Sequence, residues 1–368
     1  MKILYITTIA STMHFFSNYI SELVEKGNTV DIVCNNSSST LNPVYNELGC
    51  KVYNVPFSRL PLTTGNLEAC KMLKKIVNDN KYDIIHCHTP IASACARFVC
   101  RKVRKKGTRV FYTAHGFHFY KGSPFINKLV FYPIEKICAH YTDTLITINS
   151  EDFALAKKKL KAKKVAYVQG VGINIEKFRN ANVNREEKRE EIGVPKDAYT
   201  VISIGELNKN KNHQAVISAI SKINDSNVHY VIVGDGPLKE YLENLKKECG
   251  VSDRVHLLGK RRDVSELLKC ADVYVHPSYR EGLPVAVMEA MTSGLPCIVS
   301  DIRGNRDLIV HEKGGIVIEE NNAESYKNAI INMRSCDSAK YSLFNMNESQ
   351  NYSIDKINTV MRELYGIN

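Results

Sequence analysis

The feature that most constrains this sequence is an alternation of short β-branched runs with segments of helical period, a pattern that runs through the chain twice. In the first half, strands are expected at 2–6, 29–34, 52–55, 83–86, 109–113, 144–148 and 165–168. Helical segments at 15–25, 67–78 and 92–105 separate several of them. Strands alternating with helices of this length form βαβ units and so a parallel, doubly wound sheet. The almost unbroken apolar run at 2–6 suits a strand covered on both faces. Around 170–184 the chain turns polar and Gly-punctuated, a charged helix follows at 185–191, and the pattern restarts. New strands are expected at 200–204, 230–233, 255–258, 273–276, 297–299 and 316–318, with helices at 214–223, 238–248 and 264–270. The expected fold class is therefore α/β. A Rossmann-like domain is placed at 1–174 and a second at 175–350. In the remaining segment, 351–368, Ile354, Ile357, Val360, Met361 and Leu364 share one helical stripe. That helix can pack back on either domain, and the N-terminal one is taken.

Composition agrees with two globular domains. A chain of 368 residues, 44% apolar and 24% charged, is neither disordered nor fibrous. Eleven scattered cysteines, an odd number, read as reduced thiols. The apolar start is too short for a signal peptide, and no apolar run approaches the ~18 residues of a membrane span. A cytoplasmic chain is expected. Its charge is uneven: residues 1–180 carry 26 Lys/Arg against 12 Asp/Glu, a net +14, while the rest carries −3. An anionic partner, nucleic acid or membrane, is thus sought by the first half alone.

The most informative stretch is H-P-S-Y-R-E-G-L-P-V-A-V-M-E, from His276 to Glu289. A strand ends at His276, a loop carries Arg280 and Glu281, and Pro284 opens a helix that stops at Gly294. Glu281 precedes the helix and Glu289 lies a turn and a half into it, so their carboxylates should stand on the order of 10 Å apart. Between them the amides of Gly282 and Leu283 can hold an anion. A nucleoside-diphosphate sugar has this layout, with diphosphate on the amides, ribose diol at Glu289 and sugar hydroxyls at Glu281. The plain alternative is one loop glutamate and one solvated helix glutamate.

Here the sequence resembles a known family. E-G-L-P-V-A-V-M-E followed by A-M-T-S-G-L-P-C-I-V-S-D resembles the E-x7-E signature of family 4 retaining glycosyltransferases, whose GT-B fold sets two Rossmann-like domains facing a central cleft. The resemblance runs through D-I-I-H-C-H-T-P, Y-T-A-H-G-F-H-F, I-G-E-L-N-K-N-K-N-H, V-G-D-G-P-L and A-D-V-Y-V-H-P-S, and so covers nearly the whole chain. Within the family it looks most like bacterial enzymes of capsule, exopolysaccharide and O-antigen assembly. It implies metal-independent transfer from a UDP-sugar by front-face displacement, with no cofactor. The implied roles are ribose for Glu289, donor sugar for Glu281, diphosphate for Lys211, and a place near donor and acceptor for His115. His115, Glu281 and Lys211 are taken as the catalytic set. Gly282, Leu283, Glu206, Asn208, Lys209, Arg280, Gly234 and Arg262 join Glu289 on the donor side. Thr8, His14, His88 and His118 are placed on the acceptor side. Two departures stand out. Glu206 occupies the position where relatives carry an Arg in G-R-L, leaving Lys209 or Arg280 to supply charge. The first strand leads into T-T-I-A-S without the relatives' paired glycines.

Other constellations point elsewhere. His86 and His88 share one strand face and, with His115 and His118, invite a zinc reading, but no further ligand pattern completes a set. G-D-G-P at 234–237 is either a phosphate loop or a tight turn. G-K-R-R-D at 259–263 frames a nucleobase by resemblance and is otherwise a basic turn. The basic run from Arg97 to Arg109, with Phe98, Val99 and Val103 interleaved, reads as a basic amphipathic helix beside the aromatic segment from Phe117 to Phe125. Arg101, Lys102, Lys105 and Lys106 are its expected contacts with an anionic membrane. The run 157–164 reads as a solvated helix end.

The expectation is a retaining hexosyl- or N-acetylhexosaminyltransferase, peripheral at the inner face of the cell membrane. It would act on a polyprenyl-diphosphate-linked saccharide in bacterial surface polysaccharide synthesis, with no nucleic-acid partner. The alternatives are a sugar-nucleotide epimerase or soluble-acceptor glycosyltransferase on the same fold, and a basic nucleic-acid-binding module. The last would not need the Glu281/Glu289 pair.

Overall fold

The computed structural model describes residues 1–37, 39–60, 63–120 and 122–367. It divides into two compact units, Met1–Val171 with Asn358–Asn368, and Gly172–Ile357.

The first unit is built on a seven-stranded parallel sheet of β1 (Lys2–Ile9), β2 (Thr29–Asn35), β3 (Val52–Asn54), β4 (Ile84–His88), β5 (Arg109–Ala114), β6 (Thr144–Thr147) and β7 (Lys164–Tyr167). Its strand order is β3-β2-β1-β4-β5-β6-β7. The longer helices are α1 (Ser17–Glu25), α2 (Thr64–Asp79), α3 (Pro90–Arg104), α4 (Phe125–Ala139) and α5 (Ser150–Lys159). The second unit repeats the plan with β8 (Tyr199–Ile204), β9 (Val228–Val233), β10 (Val255–Leu257), β11 (Val273–His276), β12 (Cys297–Ser300) and β13 (Gly315–Ile318), in the order β10-β9-β8-β11-β12-β13. Its longer helices are α6 (His213–Ser221), α7 (Lys239–Glu248), α8 (Val285–Thr292), α9 (Ala323–Ser335) and α10 (Ala339–Ser349). The terminal helix α11 (Ile354–Tyr365) enters the first unit from Asn358 onward.

These strands form because their residues are β-branched or aromatic and buried on both faces; every residue of β4, β9, β11 and β12 is buried. The helices cover them with apolar stripes. On α3, Ala92, Ala96 and Cys100 recur every fourth residue and face the sheet. Pro90 starts that helix, and Arg101, Lys102 and Arg104 close it where the helix dipole favours cations. The doubly wound fold class expected from the sequence is the one observed. All eleven cysteines are free. Among the described residues, no helix is long and apolar enough to cross a membrane.

The reading of the basic run needs correction. Arg97 is not on an outer face: it is fully buried, its guanidinium donating to both carboxylate oxygens of Glu135 at 2.8 and 3.0 Å. It also lies 4.0 Å over the ring of Tyr112, whose hydroxyl donates to Glu135. Val99 and Val103 pack against the core, and Arg104 pairs with Asp143. Phe117 and Phe119 are buried as well, stacked at 4.8 Å, so the start of that stretch is core, and of its phenylalanines only Phe125 is exposed. Lys121 lies outside the described residues. The physical reason is coverage: a helix against a sheet must bury one face, and in α3 Val99 and Val103 are drawn to that face. Arg101, Lys102, Lys105 and Lys106 remain exposed. Lys157, Lys158 and Lys159 end α5 in solvent.

The Arg97–Glu135 pair yields a stability prediction. Glu135→Ala leaves a buried guanidinium without its counter-charge, so urea unfolding should show a loss of roughly 3–5 kcal/mol. Arg97→Met combined with Glu135→Leu should recover most of it, because the pair's desolvation disappears with the pair.

Candidate functional site

In a doubly wound sheet the strand order reverses beside the first strand, and the loops there diverge to leave a crevice past the strand ends. The reversals fall between β1 and β4 and between β8 and β11. The chemistry-bearing side chains gather at both.

At the second unit's reversal, the loop after β8 closes into a short 3-10 turn, Lys209–Lys211. Asn208 caps it, its side-chain oxygen accepting from the Lys211 amide at 3.1 Å, while its amide nitrogen donates to Glu206 at 2.8 Å. Asn212 follows at φ 50°, a left-handed conformation that Asn tolerates, and starts α6. The turn thus aims the Lys211 ammonium at Glu281 across the reversal, at 2.7 Å. Asn210 ties the two loops together by donating to the carbonyl of Arg280 at 2.9 Å.

Glu281 is held twice. His276, at the end of β11, lies with Nε2 3.3 Å from the same carboxylate oxygen, Oε1, that Lys211 holds. Tyr274 meets the other nitrogen of His276 at 3.2 Å, which leaves Nε2–H to donate to Glu281. Among the described residues, no hydrogen bond reaches Oε2. Burial works against the charge of Glu281, but the His276 hydrogen bond and Lys211 overcome it and keep the carboxyl well below the usual range. Arg303 donates to the carbonyl of Glu281 at 3.1 Å. Gly304 beside it must lack a Cβ, which would stand 2.5 Å from the carbonyl oxygen of Gly282. Pro284 is the N-cap of α8 and not its first residue, and no side chain caps the helix. The amides at its start are free to meet a ligand.

Glu289, within α8, is the opposite case. Burial raises its pKa to about 7, opposed only by the field of Lys177. Gly234 belongs to the packing as much as to any ligand: at φ 153°, a Cβ there would lie 1.9 Å from the Gly205 carbonyl oxygen. Glu206, Lys209, Arg280 and Arg262 are exposed, and Leu283 is buried.

At the first unit's reversal, Thr8, His86, His88 and His115 come together. His88 Nδ1 lies 3.1 Å from His115 Nε2. Burial pushes the pKa of His86 to about 3 and of His115 to about 4, and that of His88 well down, so the imidazoles are neutral. Thr89, directly after His88, sits at φ 65°, ψ 142°, backbone that a β-branched residue rarely adopts. The Thr8 hydroxyl at 2.7 Å and the Thr8 amide at 3.0 Å hold its side chain there. His14 stands exposed against Phe15, and His118 stacks on Phe131 of α4 at 4.5 Å. Among the described residues, no three His, Cys, Asp or Glu side chains are grouped to hold a metal ion.

Sequence reasoning missed His276, Arg303 and Thr89. The position of His276 at a strand's carboxyl end was the available signal. Arg303 and Thr89 had none, because one acts through a backbone carbonyl and the other through its φ.

Residues 184–347 match the family model described as glycosyl transferases group 1, and residues 2–149 match glycosyl transferase 4-like. The chain is 36% identical over 282 residues to the putative glycosyltransferase EpsD of Bacillus subtilis, covering 76% of this chain and 74% of the relative. It is 33% identical over 286 residues to the UDP-Gal:alpha-D-GlcNAc-diphosphoundecaprenol alpha-1,3-galactosyltransferase of Escherichia coli, covering 74% and 73%. The crystal structure of Anabaena Alr3699/HepE in complex with UDP superposes with a TM-score of 0.83 at 17% identity, over 100% of each chain.

The raised pKa of Glu289 fixes a sign that can be measured without ligand. A carboxyl whose folded pKa exceeds its unfolded value contributes full stability below the unfolded pKa, near 4.5, and loses it as pH climbs through about 7. Glu289→Gln carries no such loss. Its stability relative to the parent should therefore grow between those limits, by on the order of 3 kcal/mol, and level off above. Thermal melts at several pH values check this.

Proposed function

This chain belongs to the family 4 glycosyltransferases of GT-B fold, and from that premise we propose that it moves a hexose or N-acetylhexosamine from a UDP-sugar, with retention, onto a polyprenyl-diphosphate-linked saccharide. The observation that carries this reading is the paired but unlike carboxylates on either side of the α8 N-terminus: Glu281 ionised and clamped, Glu289 half-buried and without a close cation. The donor named for the Escherichia coli relative and the UDP held by the Anabaena neighbour support a UDP-sugar, and the relative's diphosphoundecaprenol acceptor supports a lipid-linked one. A role in bacterial surface polysaccharide synthesis follows from the same relatives.

In this reading the diphosphate lies on the free amides before α8 and takes Lys211 as counter-ion. Glu206, exposed and bonded to Asn208, brings no positive charge, so Lys209 and Arg280 complete the basic wall in place of a metal ion. Oε2 of Glu281 accepts from sugar hydroxyls while His276 keeps its carboxylate in place, and Glu289 takes the ribose diol. Chemistry is leaving-group departure helped by Lys211, with the acceptor hydroxyl entering from the same face. His115 is read as a residue that meets the transferred sugar or the acceptor.

Glu289→Ala should weaken UDP by about 1.5–3 kcal/mol, the value of a hydrogen bond to a charged group. Glu281→Ala should weaken a UDP-sugar while leaving UDP unchanged or tighter, because it also releases Lys211. Calorimetric titration of both ligands decides, and equal losses of UDP affinity in the two variants would overturn the division of labour.

We also infer that the first unit rests on an anionic membrane. Exposed Arg101, Lys102, Lys105 and Lys106 on and just beyond α3 supply the charge. The adjoining α4 leaves Phe125, Ile126 and Leu129 exposed by 78, 59 and 60%. Basic residues toward the end of α3 and apolar residues on the first turn of the adjoining α4 together match a surface with acidic headgroups over an acyl layer. Each cation there contributes about 1 kcal/mol. Replacing all four with Gln should abolish co-sedimentation with phosphatidylglycerol vesicles and leave UDP affinity intact. Undiminished sedimentation would refute the surface.

A further inference from the structure

His88 is fixed on every side. Its ring centroid lies 4.1 Å from that of His86, 4.2 Å from Phe16 and 5.5 Å from Tyr5, with which it stacks at 18°. His86 is itself anchored at both nitrogens, by the Tyr365 hydroxyl at Nδ1 and by Thr113 at Nε2, 2.8 Å away. Tyr365, fully buried near the chain's end, also meets the Tyr5 hydroxyl at 2.9 Å and gives its carbonyl to Arg109. The His88 ring therefore cannot turn without displacing packed aromatics.

One proton is shared between His88 Nδ1 and His115 Nε2, 3.1 Å apart, because each neutral imidazole carries a single N–H. Two arrangements satisfy that contact. If His88 accepts, its own proton must sit on Nε2, which is buried and has no partner among the described residues. If His88 donates, Nε2 is left as an unfilled lone pair. Orphaned buried N–H groups are rarer than under-satisfied acceptors, which favours the second arrangement. His115 then receives at Nε2 and must carry its proton on Nδ1, a nitrogen that makes no hydrogen bond among the described residues.

We propose that His88 is a positioning residue that donates to His115 and locks the His115 proton on Nδ1, so that His115 meets its ligand as a hydrogen-bond donor and not as a base. This rests on the reading of His115 as a ligand-facing residue. A donor at that position selects an oxygen lone pair, whether of a sugar hydroxyl or of a phosphoryl group. It also excludes His115 from deprotonating the acceptor. His86, Tyr365 and Tyr5 serve this arrangement as its backing, which links the final helix to the site through one buried hydroxyl.

The test has two parts. Nitrogen-15 imidazole spectra of the full-length protein at neutral pH, with His115 assigned by its disappearance in His115→Gln, should show the protonated nitrogen as Nδ1. The Nε2–H form would overturn the proposal. In parallel, UDP release is followed from whichever of UDP-glucose, UDP-galactose or UDP-N-acetylglucosamine the parent turns over. His88→Phe fills the same slot but cannot donate, and should lower kcat roughly tenfold to a hundredfold with little change in KM. His88→Asn places an amide N–H near the lost one and should retain most of the rate. If His115→Ala leaves turnover intact, the reading of His115 fails and takes this inference with it. If His115→Ala abolishes turnover and His88→Phe does not, that reading stands and this inference alone is wrong.

Discussion

Parallel strands must be buried on both faces, and every other feature of this molecule depends on that requirement. A parallel sheet needs a crossover helix for each new strand, and right-handed crossovers add strands first on one side of the starting strand and then on the other. Both units obey this, with β1 and β8 central in their sheets. The reversal separates the helices that follow neighbouring strands, so the strand ends beside it are the places where backbone is not already covered. Thr8, His88 and Thr89 lie at one reversal and Lys211, His276 and Glu281 at the other. Their positions follow from topology before any chemistry is considered.

Two ion pairs, one buried and one half-buried, show how the same interaction serves different ends. Arg97 and Glu135 are sealed, with side-chain exposures of 0 and 6%, and the carboxylate takes a further bond from Tyr112. Nothing can exchange there, and the pair holds α3 against α4. Lys211 and Glu281 keep 19 and 16% exposure, and both holders of Glu281 converge on one oxygen. An arriving anion can draw Lys211 away without leaving Glu281 bare, because His276 remains. A pair built for stability saturates its partners. This one leaves a lone pair and a cation within reach of solvent.

The fold was legible because doubly wound sheets write themselves into sequence as apolar runs at regular intervals. The boundaries moved by a few residues only, as at β1, which runs on to Ile9, and α2, which begins at Thr64. What misled was the basic run at 97–109, where linear charge density says nothing of which side chains face inward; Arg97, which opens the run, is fully buried. The glutamate pair was legible because its spacing straddles a helix start. The clamp on Glu281 was not, since it joins residues 70 positions apart through the turn that Asn208 caps. Thr89 carries its information in a backbone angle, which no residue pattern reports.

Glu281 and Glu289 also show how one loop and helix give two carboxyl groups unlike properties. Where environments drive two like acids apart, their roles can be assigned. Glu281 is already charged and already satisfied on one side, so it can only accept from a ligand. Glu289, raised to about 7 by burial, is half protonated near neutrality and lacks the hydrogen bonds that would settle its charge. A vicinal diol brings two hydroxyl donors to such a group, stabilises the ionised form, and so lowers its pKa on binding. The ligand thus supplies what the fold withheld. A phosphate would raise that pKa further and be repelled by any ionised fraction. On the proposed reading, the half-buried, unpaired Glu289 would select uncharged donors within α8, just as the amides at the helix start would select an anion, and together they would orient a ligand that carries both.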